Sequence, residues 1–348
     1  MSIPVQPGRL PTRRRGPVRR YLETRGVVGR HASPHVHTRL LADDGTRLAA
    51  SYLPGPRDAP AAVLLLHGFA ANRRKPAYAR LADGLARHVA VLSLDLRGHG
   101  GSGGRSTLGI EEEADVRAGL HWLARYGHPR VIVVGASMGA TAALYAASLE
   151  APSIGVVTIS ATARFRSPAE TEPMRRLEAV WHSSSRRRML RLLLGVSLAA
   201  PEGWGEPPHP VEMAARITQP LLVVHGEDDP YFPVSDAASL IEAAKGPAML
   251  WRRPAGFGHA EDGITAAFAD ALGQAVVEVA ASGQFPPWHV QGAPRSGQGV
   301  QRSGQGVRRS DEDVRRPDQN VRRSGQGVPP SDQGMRRSDE DVRRPGHR

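Results

Sequence analysis

The chain has 348 residues, of which 40% are hydrophobic, and a net charge of +12. Residues 1–38 carry +7 of this charge and residues 294–348 carry +5, so the segment between them is a neutral body large enough for a substantial core. The absence of cysteine excludes disulfides, cysteine-ligated zinc and thiol catalysis and is compatible with a cytoplasmic protein, and no apolar run approaches the length of a transmembrane helix.

The N-terminal residues 1–34 are rich in arginine, proline and glycine and show no hydrophobic periodicity, which predicts disorder. They also lack the apolar core of a secretory signal, so we expect a cytoplasmic location. An alternative for these arginines is contact with nucleic acid or an anionic surface, which the shortage of aromatic residues for base stacking disfavours.

From residue 35 to 282, apolar runs alternate with amphipathic or alanine-rich segments. A hairpin around Asp43-Asp44-Gly45 begins this region, and the alternation that follows predicts an α/β fold with a mostly parallel sheet and helices on both faces. The eight predicted strands are residues 38–42, 47–53, 61–66, 89–94, 130–134, 154–159, 219–224 and 248–251. The predicted helices are residues 76–88, 110–126, 138–149, 234–245 and 264–281.

Two short motifs follow early strands. His67-Gly68-Phe69 ends the third strand, so the Phe69 backbone N–H can point toward a nucleophile at the same edge of the sheet. Residues 95–102 end the next strand, and their charged side chains are expected to brace loops rather than react.

A candidate nucleophile follows the strand at residues 130–134. Four β-branched residues lead into Gly135-x-Ser137-x-Gly139 and an alanine-rich run, which predicts a strand, a tight turn and a helix. The small residues around Ser137 let the two arms of the turn approach each other. The helix that follows supplies backbone N–H groups, and the Met138 N–H together with that of Phe69 would form an oxyanion hole.

Residues 160–217 interrupt the alternation and are predicted to form a short helical cap, with helices at 173–181 and 185–199. Arg186-Arg187-Arg188 and the leucines that follow make the second helix basic and amphipathic. We expect the leucines to pack on the body and the arginines to face water. The alternative is that this helix attracts an anionic substrate or a lipid surface.

A base and an acid for Ser137 are found after later strands. His259 follows Gly258 in a loop, and Asp229 follows the strand that ends at Gly226, so both lie at the same edge of the sheet as Ser137. Asp228 is the alternative acid. Asp229 is preferred because it stands just before Pro230, where the strand opens into its loop.

The C-terminal residues 283–348 are predicted to be disordered. A seven-residue unit such as RRSDEDV recurs there, and one aliphatic residue per unit cannot form a coiled-coil seam. Glycine and proline in most units also oppose a helix.

Together these motifs resemble the α/β-hydrolase superfamily, in particular the serine esterases, lipases and aminopeptidase-like hydrolases. The resemblance covers residues 37–281 and is carried by His67-Gly68-Phe69, Asp95-x-Arg97-Gly98-His99-Gly100-x-Ser102, Gly135-x-Ser137-x-Gly139, Gly226-x-x-Asp229-x-x-x-Pro233 and Gly258-His259. It implies an eight-stranded sheet, a Ser137–Asp229–His259 triad and a cap after the sixth strand. A serine nucleophile argues against the epoxide hydrolases and haloalkane dehalogenases of the same fold.

The expected function is hydrolysis of a small-molecule carboxylic ester through an acyl-enzyme, with no metal or organic cofactor. Thioester, amide and peptide substrates remain open, because one triad serves all of them. A non-catalytic binding module and a nucleic-acid-associated protein with basic tails are the rival classes.

Overall fold

The computed structural model describes residues 29–166, 168–202 and 206–288 and the backbone of residues 301–302. One mixed sheet of nine strands runs through this part of the chain in the order β1-β2-β4-β3-β5-β6-β7-β8-β9. The strands are β1 (Val36–Leu41), β2 (Arg47–Leu53), β3 (Ala62–Leu66), β4 (Ala90–Asp95), β5 (Val131–Ala136), β6 (Gly155–Ile159), β7 (Leu221–Gly226), β8 (Ala248–Arg253) and β9 (Gln301–Arg302).

Strands β3 to β8 are parallel to one another, while β1, β2 and β9 pair in antiparallel fashion at the two sides of the sheet. Every residue of β3 to β7 is buried, as expected for parallel strands that are covered on both faces. The carboxyl ends of these strands therefore meet at one edge, which is where ligands bind in open α/β sheets.

Helices cover both faces. The helix α1 (Pro76–Leu85) packs on the long C-terminal helix α8 (Ala266–Ser282) on one face. The other face carries α2 (Glu113–Arg125), α3 (Met138–Ser148), α6 (Pro210–Ala214) and α7 (Val234–Ala243). None of the helices in the described residues has the length and apolarity that a bilayer crossing requires. The α/β class, the parallel sheet and its eight predicted strands are confirmed, and the two-residue β9 is an addition.

At both ends of the predicted domain, contacts with the body continue a few residues beyond the predicted bounds of 35 and 282. Near the N-terminus, the backbone N–H groups of Ala32 and Ser33 donate to the Asp83 carboxylate on α1, at 2.8 and 3.0 Å. Near the C-terminus, Phe285 is buried, and the Arg253 guanidinium lies 3.6 Å from the centre of a Trp288 ring. These long-range contacts extend the folded body to residues 29–288. The rest of both predicted disordered tails, apart from β9, lies outside the described residues.

Residues 160–217, which were predicted to form the cap, contain α4 (Glu172–Trp181) and α5 (Ser184–Leu194) in addition to α6, and neither α4 nor α5 contains a buried residue. We call α4 and α5 the cap. The predicted second helix ended too late. Gly195, with φ of +67°, ends α5 in the left-handed conformation, and Ser197 and Ala199 then pair with the backbone of Gly98 and Ser106 in the body.

The expectation that the leucines of α5 pack on the body was also wrong. Leu192, Leu193 and Leu194 are 79%, 73% and 62% exposed. Within the described part of the chain, α5 packs extensively on α4 alone, so a large part of its apolar surface faces water.

Candidate active site

Ser137 lies on the turn between β5 and α3 in a strained conformation, with φ of 50° and ψ of −115°. The turn is too tight for larger neighbours. A Cβ on Gly135 would lie 2.2 Å from the carbonyl oxygen of Gly139, and a Cβ on Gly139 would lie 2.7 Å from that of His67. Strain of this kind persists only where the surroundings enforce it, and here it raises the serine side chain above the edge of the sheet.

A continuous chain of hydrogen bonds joins Ser137, His259 and Asp229. The Ser137 Oγ lies 3.0 Å from His259 Nε2, and His259 Nδ1 lies 2.8 and 3.0 Å from the two carboxylate oxygens of Asp229. The His259 ring contacts the rings of Tyr231 and Phe232, whose centres lie 4.2 and 5.5 Å away. This arrangement assigns the proton to Nδ1, which leaves Nε2 free to accept the serine proton.

Asp229 is buried beside the histidine. Its Oδ1 accepts hydrogen bonds from the backbone N–H groups of Tyr231 and Phe232, at 2.8 and 3.1 Å. Burial alone would raise the pKa of Asp229, but the hydrogen bond and charge of His259 and these two amides outweigh it and lower the pKa below its ordinary value. The carboxylate is therefore ionised at neutral pH and oriented toward the imidazole.

Asp228, the alternative acid, contacts the loop that precedes His259 and not the His259 side chain. Its two carboxylate oxygens accept hydrogen bonds from the backbone N–H groups of Gly256 and Gly258, at 2.6 and 2.9 Å. These bonds lower the pKa of the exposed Asp228 carboxyl. This contact ties the loop that carries His259 to the end of β7.

Two backbone N–H groups flank Ser137. Met138 is the first residue of α3, where backbone N–H groups have no partner within the helix, and Phe69 follows β3. Among the described residues, neither N–H has a hydrogen-bond acceptor. Phe69, Ser137, Met138 and His259 line a single cavity of about 1190 Å³. The arrangement can deliver a nucleophile, a base and two oxyanion donors to one bound group.

Residues 61–199 match the sequence model of the family described as alpha/beta hydrolase fold. The esterase Pf2001 of Pyrococcus furiosus is similar in structure, with a TM-score of 0.54 and 22% identity over 72% of this chain and 95% of that one. The esterase RhEst1 of a Rhodococcus species has a TM-score of 0.55 and 19% identity over 71% of this chain and 99% of that one. Over residues 61–199 this chain therefore matches the α/β-hydrolase superfamily, and its described residues have the fold of these esterases.

A monoacylglycerol lipase of Mycolicibacterium smegmatis is 26% identical, over 57% of this chain and 80% of that protein. The predicted superfamily, fold and assignment to the hydrolases are thereby confirmed. The bond that is cleaved and the roles of individual residues stay predictions.

Within this α/β-hydrolase fold, two buried histidines hold the loop that carries Phe69. His67 accepts from the Leu96 N–H and donates to the Gly68 carbonyl, while His99 accepts from the Ala70 N–H, at 3.0, 2.8 and 3.3 Å. Burial lowers the pKa of His67 and of His99, so both imidazoles are neutral and hold defined donor and acceptor roles. His67 thus fixes the loop that precedes Phe69.

The predicted bracing role of residues 95–102 also has a geometric basis. The Asp95 carboxylate accepts from the backbone N–H groups of Arg73 and Gly101, each at 2.8 Å, and also pairs with the Arg73 guanidinium. Arg97 pairs with Asp115 on α2. These charged side chains connect neighbouring loops, and none of them lines the cavity that contains Ser137.

Sequence reasoning missed Tyr78 on α1. Its side chain is fully buried, and its hydroxyl accepts a 2.8 Å hydrogen bond from the Gly68 N–H, immediately before Phe69. A Cβ added to Gly68 would touch both the Tyr78 hydroxyl, at 3.1 Å, and the Ser137 Cβ, at 3.4 Å. The only signal in the sequence was an aromatic residue on the apolar face of a helix, which is indistinguishable from an ordinary core residue.

A second missed residue is Glu112, which is fully buried at the start of α2. Its carboxylate accepts from the Ser106 and Thr107 hydroxyls, each at 2.7 Å, and from the Gly109 N–H at 2.9 Å. It thereby holds the loop from which Leu108 reaches the cavity. A single glutamate before a helix carried no sequence signal for this role.

The cavity wall away from Ser137 is largely apolar and comes from both the body and the cap. Its larger apolar side chains are Leu108, Ile110, Phe165, Met174, Leu177, Trp181 and Phe232. Within the described residues, no group of three or more histidine, aspartate or glutamate side chains is arranged to hold a metal ion.

Proposed function

We propose that the protein is a serine hydrolase that cleaves carboxylic esters through an acyl-enzyme. The observation that carries this proposal is the hydrogen-bonded chain from Asp229 through His259 to Ser137, next to two backbone N–H groups without an acceptor in the described structure. A serine hydroxyl becomes an effective nucleophile when a base within hydrogen-bond reach removes its proton and an acid orients that base.

In the acylation step, the Ser137 Oγ attacks the ester carbonyl carbon while His259 Nε2 takes the serine proton. The carbonyl oxygen becomes an oxyanion, which the N–H groups of Phe69 and Met138 stabilise. The carbon–oxygen bond to the leaving group then breaks, and His259 returns the proton to the leaving alkoxide. The products are an alcohol and an acylated Ser137.

In the deacylation step, His259 removes a proton from a water molecule, whose oxygen attacks the acyl carbon. The bond to the Ser137 Oγ breaks, and the serine recovers its proton from His259. The carboxylate of Asp229 stabilises the imidazolium that forms in both steps. Its lowered pKa keeps this charge available at neutral pH.

The size and lining of the cavity favour an ester with an apolar acyl or alcohol part. A cavity of about 1190 Å³ holds far more than a small acetyl group, and side chains such as Leu177 and Trp181 offer it apolar surface. The names of the esterases and of the lipase among the similar proteins agree with this class.

The test combines active-site labelling with a substrate series. A fluorophosphonate probe is expected to label the protein at Ser137, as identified by mass spectrometry, and not to label a folded Ser137→Ala variant. Matched p-nitrophenyl esters, thioesters and anilides of increasing acyl length then report the preferred bond. We expect ester cleavage to dominate, with kcat/KM rising from acetyl to longer chains. Preferred cleavage of the thioesters or anilides would replace the assignment to ester hydrolysis. If the folded protein reacted with neither the probe nor any substrate, the protein would instead be a binding module.

A further inference from the structure

The exposed apolar surface of the cap is concentrated on α5. Met189, Leu192, Leu193 and Leu194 are 54%, 79%, 73% and 62% exposed, and we call them the leucine patch. Positions 189, 192 and 193 are three and four residues apart, so they share one side of the helix. Four neighbouring large apolar side chains in water are a cost that an isolated soluble domain normally avoids, and such surfaces mark interaction sites.

The same helix is strongly cationic. Its sequence, SSRRRMLRLLL, contains four arginines and no acid. Arg186, Arg188 and Arg191 have no carboxylate partner among the described residues, whereas Arg175 and Arg176 on α4 both pair with Glu172. The leucine patch is therefore bordered by positive charges that nothing in the described structure neutralises.

The combination of exposed leucines and arginines on α5 indicates which kind of partner binds there. A second copy of this chain would bring its own arginines against these, because a symmetric dimer contact meets itself, and like charges would oppose the contact. A nucleic acid would match the charge, but it would leave the leucines in water. An anionic lipid surface satisfies both features, since its headgroups attract the arginines and its acyl region accepts the leucines. We propose that α5 docks this protein on anionic lipid surfaces.

The position of the leucine patch is consistent with such a role. A groove of about 610 Å³ runs between α4 and α5 and is lined by Met189, Leu193 and Leu194. Arg176, Val180 and Leu190 line both this groove and the cavity that contains Ser137. A docked surface would therefore lie beside the cavity. The docking itself does not depend on the proposed function, because lipid binding can be measured without substrate.

The absence of cysteine allows a local test in the full chain. A single Leu192→Cys variant, labelled with an environment-sensitive fluorophore, reports what contacts the patch. A matched Leu41→Cys variant carries the same label at a leucine on β1 that is 63% exposed and distant in sequence from the cap. Both are titrated with vesicles of phosphatidylcholine alone and of phosphatidylcholine with about 30% phosphatidylglycerol. Flotation of the same samples measures total binding.

We expect a blue shift and an intensity increase at position 192 with the phosphatidylglycerol vesicles, and little change at position 41. Adding Arg188→Gln and Arg191→Gln to the labelled variant should weaken the apparent vesicle affinity by about 30-fold. Substitution of Leu193 and Leu194 by serine should reduce the apparent vesicle affinity to a similar extent.

Three results would overturn the proposal. The first is the absence of binding to either vesicle. The second is flotation with the vesicles while the label at position 192 stays unchanged, which would assign the binding to the arginine-rich terminal segments. The third is a spectral change at position 192 that depends on protein concentration without vesicles, which would identify a second copy of the chain as the partner.

Discussion

The carboxyl edge of the sheet and the α4–α5 hairpin line the same cavity, yet they are held in different ways. At the edge, Ser137, Asp229 and His259 are fixed by buried strands and by backbone hydrogen bonds to their loops. The hairpin contains no buried residue and packs mainly on itself. The geometry around Ser137 therefore depends on the core of the body, whereas α4 and α5 contribute no fully buried side chain to that core.

The largest effect is expected for Ser137→Ala. Removal of the nucleophile should lower ester turnover by about 10⁴- to 10⁶-fold, since only binding and the oxyanion donors would remain. The variant should unfold at the same temperature as the wild type, because the change removes one hydroxyl. Near-wild-type turnover in a folded variant would place the chemistry elsewhere.

The two neighbouring acids are expected to differ. Asp229→Asn should lower kcat by about 10³- to 10⁴-fold, because an amide in place of the carboxylate favours the wrong tautomer of His259. Asp228→Asn is the matched control. This substitution weakens the hydrogen bonds that the Asp228 side chain accepts from the backbone N–H groups of Gly256 and Gly258. We expect it to lower kcat by about tenfold or less. Steady-state kinetics on both variants measure these losses of kcat. A larger loss for Asp228→Asn than for Asp229→Asn would make Asp228 the acid that orients His259.

The contrast between core and cap can be tested by stability. Leu92 on β4 is fully buried, so Leu92→Ala should lower the free energy of unfolding by about 2–5 kcal/mol. Leu192→Ala in α5 should change it by less than about 0.5 kcal/mol, as an exposed site does. Urea unfolding followed by circular dichroism measures both. A large loss for Leu192→Ala would show that the cap contributes to the core after all.

A modest effect on catalysis is expected for Tyr78→Phe. Loss of the hydroxyl leaves the buried Gly68 N–H without its acceptor and loosens the loop that presents the Phe69 N–H. We expect kcat to fall by about tenfold with KM changed less, because the oxyanion donors act in the transition state. Tyr52→Phe is the control, since the Tyr52 hydroxyl bonds His128 and lies outside the cavity lining. Equal losses in both variants would indicate a general effect on packing.

Local sequence patterns were sufficient to predict the alternation of strands and helices and the order of the motifs along them. These features are local, because hydrophobic periodicity, Gly135 and Gly139 at a tight turn, and loops after apolar runs depend only on neighbouring residues. For this reason the sheet, the helices on both faces and the superfamily could be predicted without coordinates.

Contacts between residues that are far apart in the chain could be identified only from the tertiary structure. The Tyr78 hydroxyl at Gly68 and the packing of Trp288 against Arg253 join segments whose separation in the chain leaves no local pattern. The exposure of Leu192 was misjudged for the same reason. Leucines on one side of a helix predict that this side packs against another element. Whether another element lies there is decided by the fold, and in this structure Leu192 is left exposed.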